Sequence, residues 1–353
     1  MKVSLDTHPL YVTKAGVARY VRGLLSGFKA LASPALEITE LVWPVENFDY
    51  AQPRRAMKTA YRELLWAPWI APHLIRRSHA DLLHRTAPSL PIACPGRVRE
   101  VVTLHDLAVL RQPGRFRRWQ ASAGIRRLDR LRQADRIICD SQFTADEAME
   151  LLHLPAKQLE VVHLGVEFQD GPADLSGLQI PDAFFIFVGS LEPGKNLNLV
   201  QRCYALAAAN GHPLPPLLIV GSRWEGVAAE DAPPADWHYL GHQPDAVLAS
   251  LYEKAIALLF PSKYEGFGFP PLEAMVRGCP VICGRVASLP EVGGDAAIYS
   301  PLEPADYLAA MQRILTDSTF RDSAIAAGRQ QSTRFTWKKC AAETLDVYRS
   351  ILK

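Results

Sequence analysis

The sequence predicts an α/β protein of two doubly wound, Rossmann-like parallel-sheet domains facing a central cleft. Three observations carry that expectation. Short, continuous apolar runs alternate with helix-like stretches through the 353 residues. The runs close on polar residues instead of alternating with them, as strands buried on both faces do. The pattern lapses once, in GVEFQDGPADLSGLQIPDA (165–183), which is rich in Gly, Asp and Pro, and a fresh set of runs starts at Phe184.

In the first half the strand-like runs are VVTLHDL (101–107), RIICDS (136–141) and LEVVHLG (159–165). In the second they are FFIFVGS (184–190), PLLIVGS (216–222), IALLFPS (256–262) and CPVICG (279–284). Helix-like segments between them complete parallel units. The lapse reads as a linker. The expected boundaries are a first domain over 1–170, a linker over 171–183 and a second domain over 184–335. WKKCAAETLDVYRSILK (337–353) reads as an amphipathic helix within a terminal segment, 336–353, that packs back on the first domain. Ligands of such sheets bind where strands end, so the polar residues closing each run are the ones to watch.

Apolar residues make up 48% and charged residues 22%, an ordinary globular balance. The six cysteines form no C-x-x-C pair, which speaks for free thiols in a reducing compartment. No apolar window is long enough to span a bilayer, and MKVSLDTHPLYV lacks the features of a signal peptide. The expected location is therefore cytoplasmic. The net charge of +2 hides a split: residues 1–170 hold 24 basic against 18 acidic residues, and the remainder 15 against 19. The basic excess concentrates in 54–77 and 115–136. These are either solvated helix faces or a surface for anionic lipid or a phosphate-bearing acceptor. Trp66 and Trp69 lean toward peripheral contact with the inner face of a plasma membrane. No nucleic-acid motif is present.

FVGSLEPGKN (187–196) has the P-loop spacing Gly189, Gly194, Lys195, with Asn196 where a magnesium-binding Ser or Thr belongs. Pro193 also removes a backbone N–H from the would-be phosphate cradle. A metal-free anion site at a helix start fits better, because free N–H groups and the helix dipole attract anions. FPSKYEGFGFPPLEAMVRGCPVICG (260–284) adds a second such start, opened by Pro270 and Pro271. Glu265 and Glu273 flank Gly266 and Gly268. Two anion-friendly helix starts with one lysine suit a diphosphate, and two carboxylates suit vicinal hydroxyls. Diphosphate plus hydroxyls is a nucleotide sugar. Singly, Glu273 also reads as an acid favoured in a helix first turn, and Glu265 as a solvated loop carboxylate.

YEGFGFPPLEAMVRGCPVI resembles the E-x-x-x-x-x-x-x-E signature of family-4 retaining glycosyltransferases with the GT-B fold. HDLAVLRQPGRF (105–116), SQFTADE (141–147), HLGVE (163–167), VGSLEPGKNL (188–197), YLGHQPDAVLASLYEKAIALLFPS (239–262) and AGVARYVRGLL (15–25) resemble family blocks in the expected order. The nearest flavour is that of bacterial mannosyltransferases building O-antigen or other surface polysaccharide. The resemblance implies that Glu273 binds ribose hydroxyls and Glu265 the donor sugar. It places the N–H groups of Gly266, Phe267 and Gly268 near sugar and phosphates, with Lys195 on the diphosphate. Gly16 is implied to lie against the phosphates and His105 beside the reacting centre. Ser190 and Gly194 stand where the family usually carries a phosphate-binding arginine; Arg223 or Lys263 could compensate.

The implied reaction is metal-independent, retaining transfer of a hexose, mannose favoured, from a nucleoside-diphosphate sugar such as GDP-mannose to a glycan or lipid-linked acceptor. No cofactor and no metal is expected, since the chain holds no Asp-x-Asp. No protein nucleophile is assigned. His105 is a candidate base, or else a strand-end histidine bonded to Asp106. The rivals are a non-catalytic GT-B scaffold, for which the missing arginine argues, and an epimerase or phosphorylase on the same architecture.

Overall fold

The computed structural model describes all residues except 13–15, 43–56, 58–60, 89–91, 97, 114–117, 169–172, 174 and 222–236. Arg223 and parts of both basic segments and of the expected linker lie outside the described residues. The chain divides into two compact units. One is built on Met1–Arg111, Arg118–Gly165 and Thr336–Lys353, the other on Val166–Phe335.

The first unit carries a six-stranded sheet in the order β2-β1-β3-β4-β5-β6. Its strands are β1 (Lys2–Asp6), β2 (Glu37–Leu41), β3 (Leu82–Arg85), β4 (Arg99–Leu104), β5 (Arg136–Cys139) and β6 (Leu159–Val161). All neighbours pair in parallel. The terminal helix Trp337–Leu352, capped by the Thr336 hydroxyl accepting from Lys339 N–H at 3.2 Å, belongs to this unit. It packs on the helix Gly16–Leu31 at two glycines. A Cβ on Gly23 would lie 2.0 Å from the Trp337 indole, and one on Gly27 would lie 2.2 Å from the Trp337 carbonyl oxygen. The absence of both side chains permits the contact.

A buried polar chain ties this unit together. His84 Nδ1 meets Tyr348 Oη at 2.6 Å and Nε2 meets Thr103 Oγ1 at 2.8 Å. Tyr20 Oη reaches the same Thr103 hydroxyl at 2.9 Å. Strands β3 and β4, the Gly16–Leu31 helix and the terminal helix thus share one network. Burial pushes the His84 pKa down to about 3, because a charged imidazole finds no water there.

Trp66 differs from its sequence reading. It is 2% exposed and packs in a core with Leu41, Ile75 and Leu83, whereas Trp69 is 72% exposed. Among the described residues no helix is long and apolar enough to cross a membrane.

The second unit carries a sheet in the order β12-β11-β10-β7-β8-β9, again parallel throughout. Its strands are β7 (Phe185–Val188), β8 (Leu217–Val220), β9 (His238–Gly241), β10 (Leu258–Phe260), β11 (Val281–Cys283) and β12 (Ile298–Tyr299). Successive side chains point to opposite faces. Ile186, Leu218, Phe260 and Val281 enter one core cluster, and Phe185, Leu217, Leu259 and Ile282 enter another. Both faces are covered, so the strands read as unbroken apolar runs. Ile180, in the described part of the expected linker, packs against the first of these cores.

Candidate donor site and the first unit's strand ends

In the second unit, β7 and β10 are neighbours, so the loops leaving them emerge side by side. The β7 loop turns through Pro193–Lys195 and places Asn196 in the left-handed region, with φ 57°, before the helix Leu197–Ala209. Asn196 Nδ2 donates to Pro261 O at 3.2 Å, and Lys263 N–H donates to Gly194 O at 3.0 Å. The two loops are therefore stitched together by main chain and one amide. Asn196 is a structural tie, and its left-handed conformation keeps Lys195 out of the helix that follows. That departs from P-loop geometry as well as from P-loop chemistry.

Lys195 crosses the resulting corner. Its stem passes Gly189, where a Cβ would lie 3.7 Å from Lys195 Cδ. Its Nζ lies 5.5 Å from the Phe260 ring centroid and 2.6 Å from Glu265 Oε1. Both side chains retain modest exposure, 15% and 13%. Ser190, in the arginine-deficient position, donates from Oγ to Glu192 Oε1 at 3.3 Å, and Glu192 is buried.

After Glu265 the chain runs through Gly266, Phe267 and Gly268 into the helix Phe269–Val276. Gly268 has φ 116°, a conformation that disfavours any side chain, and a Cβ there would lie 3.0 Å from Leu289. The Phe267 side chain is buried against Phe269 and Phe335, which leaves its main chain as the part able to face a ligand. Ser288 supports this loop from behind: its Oγ contacts Phe267 O at 2.7 Å and Glu265 O at 2.9 Å.

Glu273 sits on the buried side of that helix, 2% exposed, and accepts from Tyr252 Oη at 3.3 Å. The helix starts at Phe269, so Glu273 stands in its second turn and the first-turn explanation for an acid there does not apply. Ser262, closing β10, is 1% exposed, and its hydroxyl has no partner among the described residues. It escaped individual notice in the sequence although it is the polar residue ending IALLFPS.

In the first unit, Gly16 is exposed and opens the helix Gly16–Leu31. His105 follows β4. Its partner is not Asp106, which instead accepts from Ala108 N–H at 2.9 Å. His105 Nδ1 meets Asp140 Oδ2 at 2.6 Å and Nε2 meets Thr86 O at 2.8 Å. A carbonyl can only accept, so Nε2–H donates to it, and a carboxylate takes the second N–H. Burial opposes charge on the ring, but the Asp140 carboxylate and these hydrogen bonds outweigh it and hold the His105 pKa above its ordinary value. Both ring nitrogens are taken up by protein oxygens, so in this geometry neither is free to receive an acceptor's proton. Asp140 closes RIICDS, the kind of position the sequence marks, and its pairing emerges only in the fold.

Two parallel-sheet units, one of them with a lysine–carboxylate corner beside a glycine-led helix, define the GT-B class of glycosyltransferase fold. A family model described as Glycosyltransferase Family 4 matches residues 15–170, and one described as Glycosyl transferases group 1 matches residues 176–331. The chain is 31% identical over 271 residues to O-antigen chain mannosyltransferase B of Escherichia coli, covering 71% of this chain and 70% of that protein. It is 28% identical over 245 residues to the serotype-specific mannosyltransferase WbdA of Escherichia coli, covering 64% of this chain but 30% of that protein. HepE (Alr3699) of Anabaena, solved with UDP and glucose, superposes with a TM-score of 0.71 at 16% identity over 99% of this chain and 100% of that one. The chain belongs to glycosyltransferase family 4 and is a glycosyltransferase of the GT-B type.

Proposed function

We propose that this glycosyltransferase moves a hexose, mannose favoured, from a nucleoside-diphosphate sugar to a glycan or lipid-linked acceptor during bacterial surface-polysaccharide assembly, with retention and without a metal. The observation that carries the reading is the Lys195–Glu265 corner at the strand ends of the second unit. A cation and an acceptor of hydroxyl hydrogen bonds stand 2.6 Å apart, which supports a site for a sugar diphosphate. The names of the O-antigen and WbdA relatives favour mannose, and hence GDP-mannose as donor.

In this reading Lys195 binds the diphosphate and offsets the charge that develops as the anomeric bond breaks. The helix start at Phe269 and the N–H groups of Gly266, Phe267 and Gly268 add to that field. Glu265 orients the sugar hydroxyls and Glu273 those of the ribose. Gly16 lies against the phosphates. Lys263 supplies the cation missing at Ser190 and Gly194: its side chain is exposed and its main chain is bonded to Gly194. The leaving diphosphate oxygen takes the acceptor's proton, so no protein nucleophile is needed. His105 stands beside the reacting centre with its ring held by Asp140 and Thr86 O, and not as a base.

Thermal stabilisation by GDP, UDP, ADP and ATP, each with magnesium and with EDTA, tests the reading. Stabilisation by GDP that survives EDTA is expected. Stabilisation by ATP alone, lost with EDTA, overturns it. The anomeric configuration of the product, read by NMR, tests retention.

A further inference from the structure

In the first sheet the chain leaves β1 for β2 on one side and then crosses to β3 on the other, so β1 and β3 flank the point where the strand order reverses. In open parallel sheets the crevice outside the strand ends at that point is where ligands bind. Asp6 ends β1 there, and Thr7 and His8 follow it. The three are 0%, 0% and 3% exposed. Each keeps one polar atom, Asp6 Oδ2, Thr7 Oγ1 and His8 Nδ1, with no hydrogen-bond partner among the described residues. The main chain around them is well paired. Asp6 Oδ1 accepts from His8 N–H at 3.1 Å, Thr7 N–H donates to Leu41 O at 3.3 Å, and Thr86 Oγ1 donates to Asp6 O at 2.7 Å. Burying a polar atom unpaired is costly, and three in succession at a strand end call for an occupant.

The chemistry of the three atoms narrows that occupant. A carboxylate only accepts, whereas a hydroxyl and an imidazole each give and take. Neutral hydroxyl groups satisfy all three. A phosphate or carboxylate would meet the Asp6 charge. A metal ion would lack ligands, since no group of three His, Cys, Asp or Glu among the described residues is placed to hold one. Position narrows it further. Thr86, bonded to Asp6 O through its hydroxyl, accepts from His105 Nε2–H through its carbonyl at 2.8 Å. Two strand spacings, about 10 Å, separate β1 from β4, the strand His105 follows. One hexose with its hydroxyls covers that span.

We propose that Asp6, Thr7 and His8 form an acceptor subsite, taking a hydroxyl-bearing arm of the sugar that receives the transferred residue. Side chains this enclosed admit a hydroxyl or hydroxymethyl arm and not a ring face. The ligand class rests on the glycan-acceptor reading given above.

NMR at the His8 ring of the full chain, with methyl glycosides of mannose, glucose, galactose and N-acetylglucosamine, tests it. At least one sugar should shift the His8 signal saturably, and Asp6→Asn and Thr7→Val should each weaken that sugar about tenfold or more. Thr7→Val keeps the side-chain shape and removes an unpaired hydroxyl, so its melting temperature should equal or exceed the parent's. Loss of sugar binding without loss of stability separates recognition from folding. No His8 shift with any of the four sugars overturns the proposal, as does a shift that neither variant weakens. A lower melting temperature for Thr7→Val also overturns it, because the hydroxyl would then be holding a structural water. Calorimetric titration of the parent with GDP reads the donor site separately: GDP binding without a His8 shift strikes the subsite alone, and a His8 shift without GDP binding strikes the donor reading alone.

Discussion

Lys195 Nζ lies 2.6 Å from Glu265 Oε1, joining residues 70 positions apart across neighbouring strand loops. In the proposed reading, a donor diphosphate competes with that carboxylate for the same ammonium. Glu265→Gln removes the competitor while spoiling the sugar contact. Transfer should fall by about a hundredfold or more, yet binding of the bare nucleoside diphosphate should hold or tighten. Lys195→Ala should instead weaken the nucleoside diphosphate about tenfold to a hundredfold, the worth of a hydrogen bond to a charged group. Calorimetric titration with GDP separates the two; equal losses would break the division of labour assigned to this pair.

Ser288 braces the glutamate loop from its buried side. Its hydroxyl is shared between Phe267 O and Glu265 O, and the residue is fully buried. Ser288→Ala leaves those carbonyls without their donor, at a cost of about 1–3 kcal/mol. The expected result is a severalfold rise in donor KM with a smaller effect on kcat. An unchanged KM would mean that the loop holds its shape unaided.

The His105–Asp140 pair gives a sign-defined titration. The folded pKa of His105 is raised, so its contribution to stability is complete below the unfolded value of about 6.5 and is lost as pH rises through the folded value. Asp140→Asn removes the carboxylate, and the His105 ring, followed by NMR, should then titrate at lower pH than in the parent, because burial is opposed only by Thr86 O and the Asp106 charge. An unshifted titration would show that Thr86 O by itself holds the proton.

His84 acts in the opposite direction. Its folded pKa is about 3, so between about 6.5 and 3 the unfolded chain binds the extra proton. Stability should therefore fall on acidification through that window, at up to about 1.4 kcal/mol per pH unit for one such site. Urea midpoints measured from pH 7 to pH 4 check it. A flat profile would mean that the Tyr348–His84–Thr103 chain opens before it titrates.

Gly27→Ala tests the seat of the terminal helix. The new Cβ would meet the Trp337 carbonyl oxygen at 2.2 Å, which the backbone must move to relieve. The overpacking should cost about 1–3 kcal/mol, read as a lower denaturant midpoint. Gly96→Ala, with open space around it, serves as the control.

What was legible in the sequence follows from local chemistry. FFIFV, PLLIV and IALLF announced parallel strands because both sheet faces are covered, leaving no polar alternation to confuse the period. Pro270 and Pro271 announced a helix start because their backbone preference is intrinsic. Strands β1, β2, β3, β9 and β12 were not marked individually. Two of them, β2 and β9, are largely unburied edge strands with no continuous apolar run, and β12 spans only two residues.

By itself, then, the sequence determined two doubly wound units and the residue types at their strand ends. Only the tertiary structure decided the partners. Pairing of β4 with β5 brought Asp140 to His105, and pairing of β7 with β10 brought Glu265 to Lys195. Periodicity along a chain cannot order strands in a sheet. Nor could it separate Trp66 from Trp69: that followed from a π winding whose repeat exceeds the α-helical period from which a sequence is read.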